Sequence, residues 1–169
     1  MRTNKKYTNA TFTKRVDHEA GRHRPTRAAR EPIICSDCGA VYVRRRWTKS
    51  GSAIKDNHPD PISVCPACKQ NREGEPRGFV FLDGAFVRLH EQEIEKLLRN
   101  EVERASEENP MARIIEWKKG DKHQLTVTTT TEHLAQRLGH ALEKAFGGKV
   151  QYDFSHENKL ARVSWQRDE

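Results

Sequence analysis

The residues best suited to chemistry are four cysteines in two pairs of identical spacing, Cys35-Ser-Asp-Cys38 and Cys65-Pro-Ala-Cys68. A Cys-x-x-Cys loop is short enough for both sulfurs to bind one ion, leaving backbone N–H groups to donate to the thiolates. Gly39, directly after the first pair, permits the positive φ that such a knuckle uses. Two knuckles, separated by the 26 residues 39–64, close a tetrahedron of four thiolates. The insert exceeds the ~15–20 residues of the commonest spacing and is expected to form a hairpin of its own. With four protein ligands no coordination position stays open, so the ion is expected to be structural and not catalytic. Zn2+ is the first choice, and iron fits the same cage. Disulfides are the alternative to metal, but a cytoplasmic setting keeps thiols reduced. A redox Cys-x-x-Cys usually occurs once, in a βαβ context missing here.

Between the knuckles, Val41-Tyr-Val-Arg-Arg-Arg-Trp47 alternates into three arginines, with Lys49 just beyond. Two readings stand. Arg44, Arg45, Arg46 and Lys49 either offset the formal −2 charge of a zinc tetrathiolate or contact RNA phosphates, with Tyr42 or Trp47 as stacking partners. The aromatics are expected to pack in the small core of the ribbon. Residues 48–60 read as an irregular loop. A segment this small takes much of its folding energy from the metal.

The chain of 169 residues is 34% hydrophobic and 33% charged, against roughly 45–50% and 25% in ordinary globular domains. One large core is not expected. No apolar run approaches the ~18 residues of a membrane span, and the basic opening leads into no signal-like apolar stretch. A soluble, cytoplasmic protein is expected. The formal charge of +7 belongs entirely to residues 1–30, which hold nine Lys/Arg against two acids, whereas the rest is balanced at 22 of each. Lys5, Lys6, Lys14, Arg15, Arg22, Arg24, Arg27 and Arg30 make this a basic arm with too little apolar surface to order itself. It reads either as a polyanion-binding arm or as a solubilising tail.

Glu73-Gly-Glu-Pro-Arg-Gly78 is a turn cluster and the expected domain boundary. Two short β runs then flank Asp83-Gly84 as a hairpin. A helix follows from about Glu91 to Glu108, with Ile94, Leu97, Leu98, Val102 and Ala105 on one face. Early glutamates suit its positive N-terminus, Asn109-Pro110 stops it, and its outer face is acidic. Strands are expected at 111–118 and 124–128. Thr129-Thr-Thr-Glu132 has capping-box spacing ahead of a second amphipathic helix ending at Gly147-Gly148. Closing strands at about 149–155 and 159–166 turn through His156-Glu-Asn158. The order ββ-α-ββ-α-ββ predicts an α+β sandwich, two helices on one face of an antiparallel sheet.

His90, His133, His140 and His156 occur singly, with no serine or cysteine nucleophile at motif spacing. There is no Gly-rich phosphate loop and no Gly-x-Ser-x-Gly. No catalytic function and no small-molecule substrate are expected.

The four-cysteine ribbon resembles the N-terminal zinc module of the nonsense-mediated-decay-type export adaptors of the large ribosomal subunit. The stretch Gln124-Leu-Thr-Val-Thr-Thr-Thr-Thr-Glu-His-Leu-Ala-Gln-Arg-Leu-Gly-His-Ala-Leu-Glu-Lys-Ala-Phe-Gly-Gly-Lys-Val150 is similar to that family's strand–helix–Gly–strand segment. Compact bacterial proteins with this layout are labelled as NMD proteins affecting ribosome stability and mRNA decay. The resemblance spans roughly residues 32–166 and implies a zinc protein contacting ribosomal RNA, a ribosomal subunit or a ribosomal protein. Nuclear export is not expected from it, because the resemblance does not include the adaptor's further domains or its export-signal tail. The knuckles also resemble those of rubredoxins, one-iron electron carriers, although such carriers are small and acidic. A third reading is a regulatory adaptor that binds protein through the acidic helix. The expected organisation is a basic flexible arm (1–31), a four-cysteine zinc ribbon (32–77) and an α+β sandwich domain (78–169).

Overall fold

A computed structural model describes residues 32–49, 63–122 and 124–169. The basic arm and most of the loop expected at 48–60 lie outside the described residues.

The first unit is a three-stranded antiparallel sheet of β1 (Ile33–Ile34), β2 (Val41–Val43) and β3 (Arg46–Thr48), followed by helix α1 (Pro66–Glu73). The knuckle between β1 and β2 turns at Gly39, whose φ of 74° puts it in the left-handed region. Gly39 N–H donates to Cys35 O at 3.0 Å, and Cys35 N–H to Ala40 O at 2.8 Å. Residue 63 pairs with the Cys35 strand in parallel, which brings the second knuckle beside the first. That second knuckle is the start of α1. Cys65 is its N-cap, Pro66 occupies the first turn, and Gly74 closes it in the left-handed region. This helix is absent from the sequence-based expectation, since eight residues with no apolar stripe give no periodic signal.

The second unit comprises β4 (Gly78–Asp83), α2 (Ala85–Leu89), α3 (Glu91–Glu108), β5 (Ile114–Lys119), β6 (Leu125–Thr129), α4 (Glu132–Phe146), β7 (Lys149–Ser155) and β8 (Leu160–Gln166). The five strands lie in the order β5-β6-β4-β8-β7. The sheet is mixed, not antiparallel as expected: β4 and β8 run parallel, with Val80 opposite Val163 and Leu82 opposite Trp165. Strand alternation is identical for parallel and antiparallel neighbours, so the sequence pattern cannot distinguish them. Burial favours the observed order. β8 carries Ala161, Val163 and Trp165, all buried, whereas Val150, Tyr152 and Phe154 of the edge strand β7 are half-buried.

The second strand expected after Asp83-Gly84 is instead the short helix α2. Adjacent Phe86 and Val87 are both buried, which one face of a strand cannot achieve. Both edges of β4 are also already taken, by β6 and β8. The expected capping box does not form, and a simple N-cap replaces it. Thr129 ends β6, and Thr131 is the N-cap of α4, its Oγ1 accepting from Leu134 N–H at 3.1 Å.

α4 packs across β4, β6, β7 and β8, with α3 beside it. Ile94, Leu98, Leu134, Leu138 and Leu142 are fully buried between the helices and Val80, Leu82, Val127, Val163 and Trp165 of the sheet. At roughly 1.5–3 kcal/mol per buried side chain of this size, this layer is the main apolar store of the fold.

Candidate metal centre

The four cysteine sulfurs, from the first knuckle and the N-terminus of α1, all lie within 4.8 Å of one another. Cys35 Sγ is 3.9 Å from Cys68 Sγ, and Cys38 Sγ is 3.7 Å from Cys65 Sγ. A tetrahedron with ~2.3 Å metal–sulfur bonds has edges of about 3.8 Å, so this spacing fits one ion. It is nearly twice a disulfide bond, and all four thiols are free. Cys35, Cys65 and Cys68 are buried, whereas Cys38 is exposed. Ala40, Ala67, Trp47, Val64 and Met111 pack around them.

Backbone donors aim at the sulfurs. Cys65 N–H donates to Cys35 Sγ at 3.2 Å, and Cys68 N–H to Cys65 Sγ at 3.4 Å. Burial pushes the Cys35 thiol up, but backbone donors at Cys65, Cys38 and Asp37 outweigh it and hold its pKa down at about 6. Burial drives Cys65 well above the ordinary thiol range. It also raises Cys68, although Arg113 pulls that group partly back.

Arg113, from the α+β unit, is the functional residue that sequence reasoning missed. Its Nη1 donates to Cys68 Sγ at 3.2 Å and its Nη2 to Cys38 Sγ at 3.1 Å, with Cys65 Sγ at 4.0 Å. Nε–H is held by Pro110 O at 2.9 Å, and the backbone N–H by Thr130 Oγ1 at 2.9 Å. The fork is therefore oriented before it meets the thiolates. Burial disfavours its charge, yet the Cys38 and Cys68 sulfurs more than compensate and its pKa rises. Nothing in the sequence marks Arg113, which lies 45 residues beyond Cys68 at the entry to a strand.

Gln70 makes a second link between the units: buried on α1, it donates to Thr130 O at 2.9 Å. Arg72 pairs with Asp37 at 2.6 Å and ties α1 to the first knuckle.

Arg44 and Arg45 form the two-residue turn between β2 and β3, with φ of 51° and 60°. Positive φ at both positions defines a type I′ hairpin. Arg44, Arg45, Arg46 and Lys49 are all exposed. Trp47 packs against the cysteine cluster, and Tyr42 faces it across the strands at 5.3 Å between ring centres. Lys5, Lys6, Lys14, Arg15, Arg22, Arg24, Arg27 and Arg30 lie outside the described residues. Among the described residues, no helix is long and apolar enough to cross a membrane.

No protein-family model, curated protein or solved structure matches this chain. The geometry establishes a four-cysteine cluster suited to one metal ion on an α+β scaffold.

Proposed function

We propose that this chain is a non-enzymatic zinc protein that contacts RNA or the ribosome and affects ribosome stability, assembly or translation. The observation that carries the reading is the closed four-thiolate cluster with an exposed arginine hairpin anchored to it through Trp47. Zn2+ is the ion of choice for four thiolates in a tetrahedron. All four positions are filled by protein, which suits a structural ion. Arg113 supplies the cation hydrogen-bonded to the cluster, which favours the phosphate-contact reading of Arg44, Arg45, Arg46 and Lys49. The +7 arm adds a sequence-independent attraction for the same polyanion.

Metal analysis combined with gradient sedimentation of a cell lysate tests the proposal. The expected result is one zinc per chain and co-sedimentation with ribosomal particles that weakens with salt and with deletion of residues 1–30. A protein that binds neither ribosomes nor RNA at low salt overturns it. One observation favours a rubredoxin-like carrier instead: the Arg113 N–H groups on Cys38 and Cys68, because hydrogen bonds to sulfur tune iron potentials. A red preparation with visible charge-transfer absorption would decide for iron.

A further inference from the structure

Among the described residues, helices pack on one face of the five-stranded sheet only, and the other face carries the rings of Phe79 and Phe81. Phe79 and Phe81, at alternate positions of the central strand β4, point away from the buried Val80 and Leu82. Phe81 is 38% exposed, and among the described residues it shares that class of large exposed apolar side chain only with Leu89. The two rings are parallel to within 6°, with centres 6.1 Å apart.

The register sets what surrounds them. One row across the sheet reads Lys118, Thr126, Phe81, Ser164, Gln151. The adjacent row reads Glu116, Thr128, Phe79, Arg162, Asp153. Phe81 borders a shallow cleft of about 250 Å³ whose rim includes Gln124, Gln151, Gln166, Asp83 and Lys149. Thr128 keeps its Oγ1 buried with no hydrogen-bond partner.

We infer that this open face binds single-stranded RNA, with unstacked bases lying on Phe79 and Phe81. The inference rests on the RNA-contact reading above and gives that contact a second site on the α+β unit. Aromatic residues at alternate positions of a central strand, on a sheet face left free of helices, are how sheet modules stack two or three bases. Every base has a π-face, so such a platform tolerates many sequences. The amides of Gln124, Gln151 and Gln166 supply both donors and acceptors, as base edges require. Lys118, Arg162 and Lys149 are exposed on the same face, where the phosphates between splayed bases would run. A protein partner fits less well, because the two rings are surrounded by hydroxyl, amide and charged groups that an apolar contact would bury unpaired.

The test is fluorescence anisotropy of the full, metal-loaded chain with a labelled oligouridine of about ten nucleotides and with an RNA duplex of equal length. Phe81→Ala should bind the oligouridine about fivefold or more weakly, whereas Phe81→Tyr, which keeps a stacking ring, should bind as the wild type does. Duplex binding, made through phosphates alone, should be unchanged in both. Undiminished oligouridine binding by Phe81→Ala overturns the inference and leaves the RNA-contact reading standing. Equal loss on single strand and duplex also overturns it. If the wild type binds neither RNA, the broader reading fails and takes this one with it. Crosslinking of 4-thiouridine oligomers to the wild type needs no variant to fold. Adducts on the β4 peptide 78–83 support the inference, and adducts confined to the arm and the arginine hairpin overturn it.

Discussion

The guanidinium of Arg113 donates to the sulfur of Cys38 at 3.1 Å, across 75 residues of sequence and from one structural unit to the other. The same fork reaches Cys68 at 3.2 Å. Four thiolates around a divalent ion carry a formal −2, and a preorganised cation beside them lowers the cost of keeping that charge partly buried. The α+β unit thus supplies part of the electrostatic environment of a metal site whose ligands all lie outside it.

Replacing Arg113 by Met should weaken metal binding about 10- to 100-fold, the range for loss of an outer-shell partner. Arg113→Lys should recover only part of this, because an ammonium cannot span two sulfurs as the planar fork does. Competition with a chromophoric chelator gives the affinities. Wild-type affinity in Arg113→Met would mean that the contacts are incidental.

Metal uptake should release protons. Without the ion Cys65 and Cys68 hold their protons at pH 7, whether burial raises them in a folded ribbon or an unfolded one leaves them at the ordinary thiol value of 9.0. An ion must displace those protons, so affinity climbs with pH, and about two or more protons should leave per ion at pH 7. Calorimetry in buffers of different ionisation heat counts them.

Chelation, or Cys68→Ser, should unfold residues 32–77 and leave α3 and α4 intact. The cluster around the ribbon's sulfurs is small, with Cys35, Ala40, Cys65, Ala67 and Cys68 as its buried members among the described residues. Among the described residues, the core beneath α3 and α4 contains none from the ribbon. Far-UV circular dichroism should therefore lose no more helix than the eight residues of α1. Collapse of the whole helical signal would show that the Arg113 and Gln70 links make the two units one cooperative body.

Much of this architecture is legible in sequence where the signal is local. The boundaries of α3 follow from its apolar stripe and from Asn109, and the four ligands follow from two identical spacings. Gly39 also adopts the positive φ expected of a knuckle. What escapes is non-local. The parallel β4–β8 pairing depends on which of two alternating strands buries its face more deeply, and Arg113 depends on how the units dock. Phe79 and Phe81 lie in a run read as ordinary strand, because alternation does not say which face a helix will cover.

Gly78→Ala should destabilise the α+β unit by about 1–3 kcal/mol, the usual cost of overpacking. Here α4 begins directly over the central strand. An added Cβ would stand 2.6 Å from Ala135 Cβ and 2.9 Å from Thr131 O, besides meeting the Thr129 hydroxyl. Two of these three neighbours are backbone or a backbone-fixed methyl, so relief requires the helix to move. A drop in the thermal midpoint with unchanged metal content is the expected outcome, since no ligand lies in this contact.

The hairpin turn sets stability against binding within two residues. Arg44 and Arg45 both have positive φ, where a side chain costs energy and Asn-Gly is the favoured pair. Evolution toward stability alone would not put two arginines there, and strain of this kind collects where function requires the side chain. The double substitution Arg44→Asn, Arg45→Gly should therefore stabilise the metal-loaded ribbon, by about 1 kcal/mol or more. It should also weaken RNA binding and reduce the slope of log affinity against log salt by about 1–2, as expected when up to two phosphate contacts are lost. Thermal release of the metal to a chromophoric chelator and salt titrations of RNA binding measure the two effects on one variant. A more stable ribbon that binds RNA with the wild-type salt slope would return Arg44 and Arg45 to the role of solvated surface.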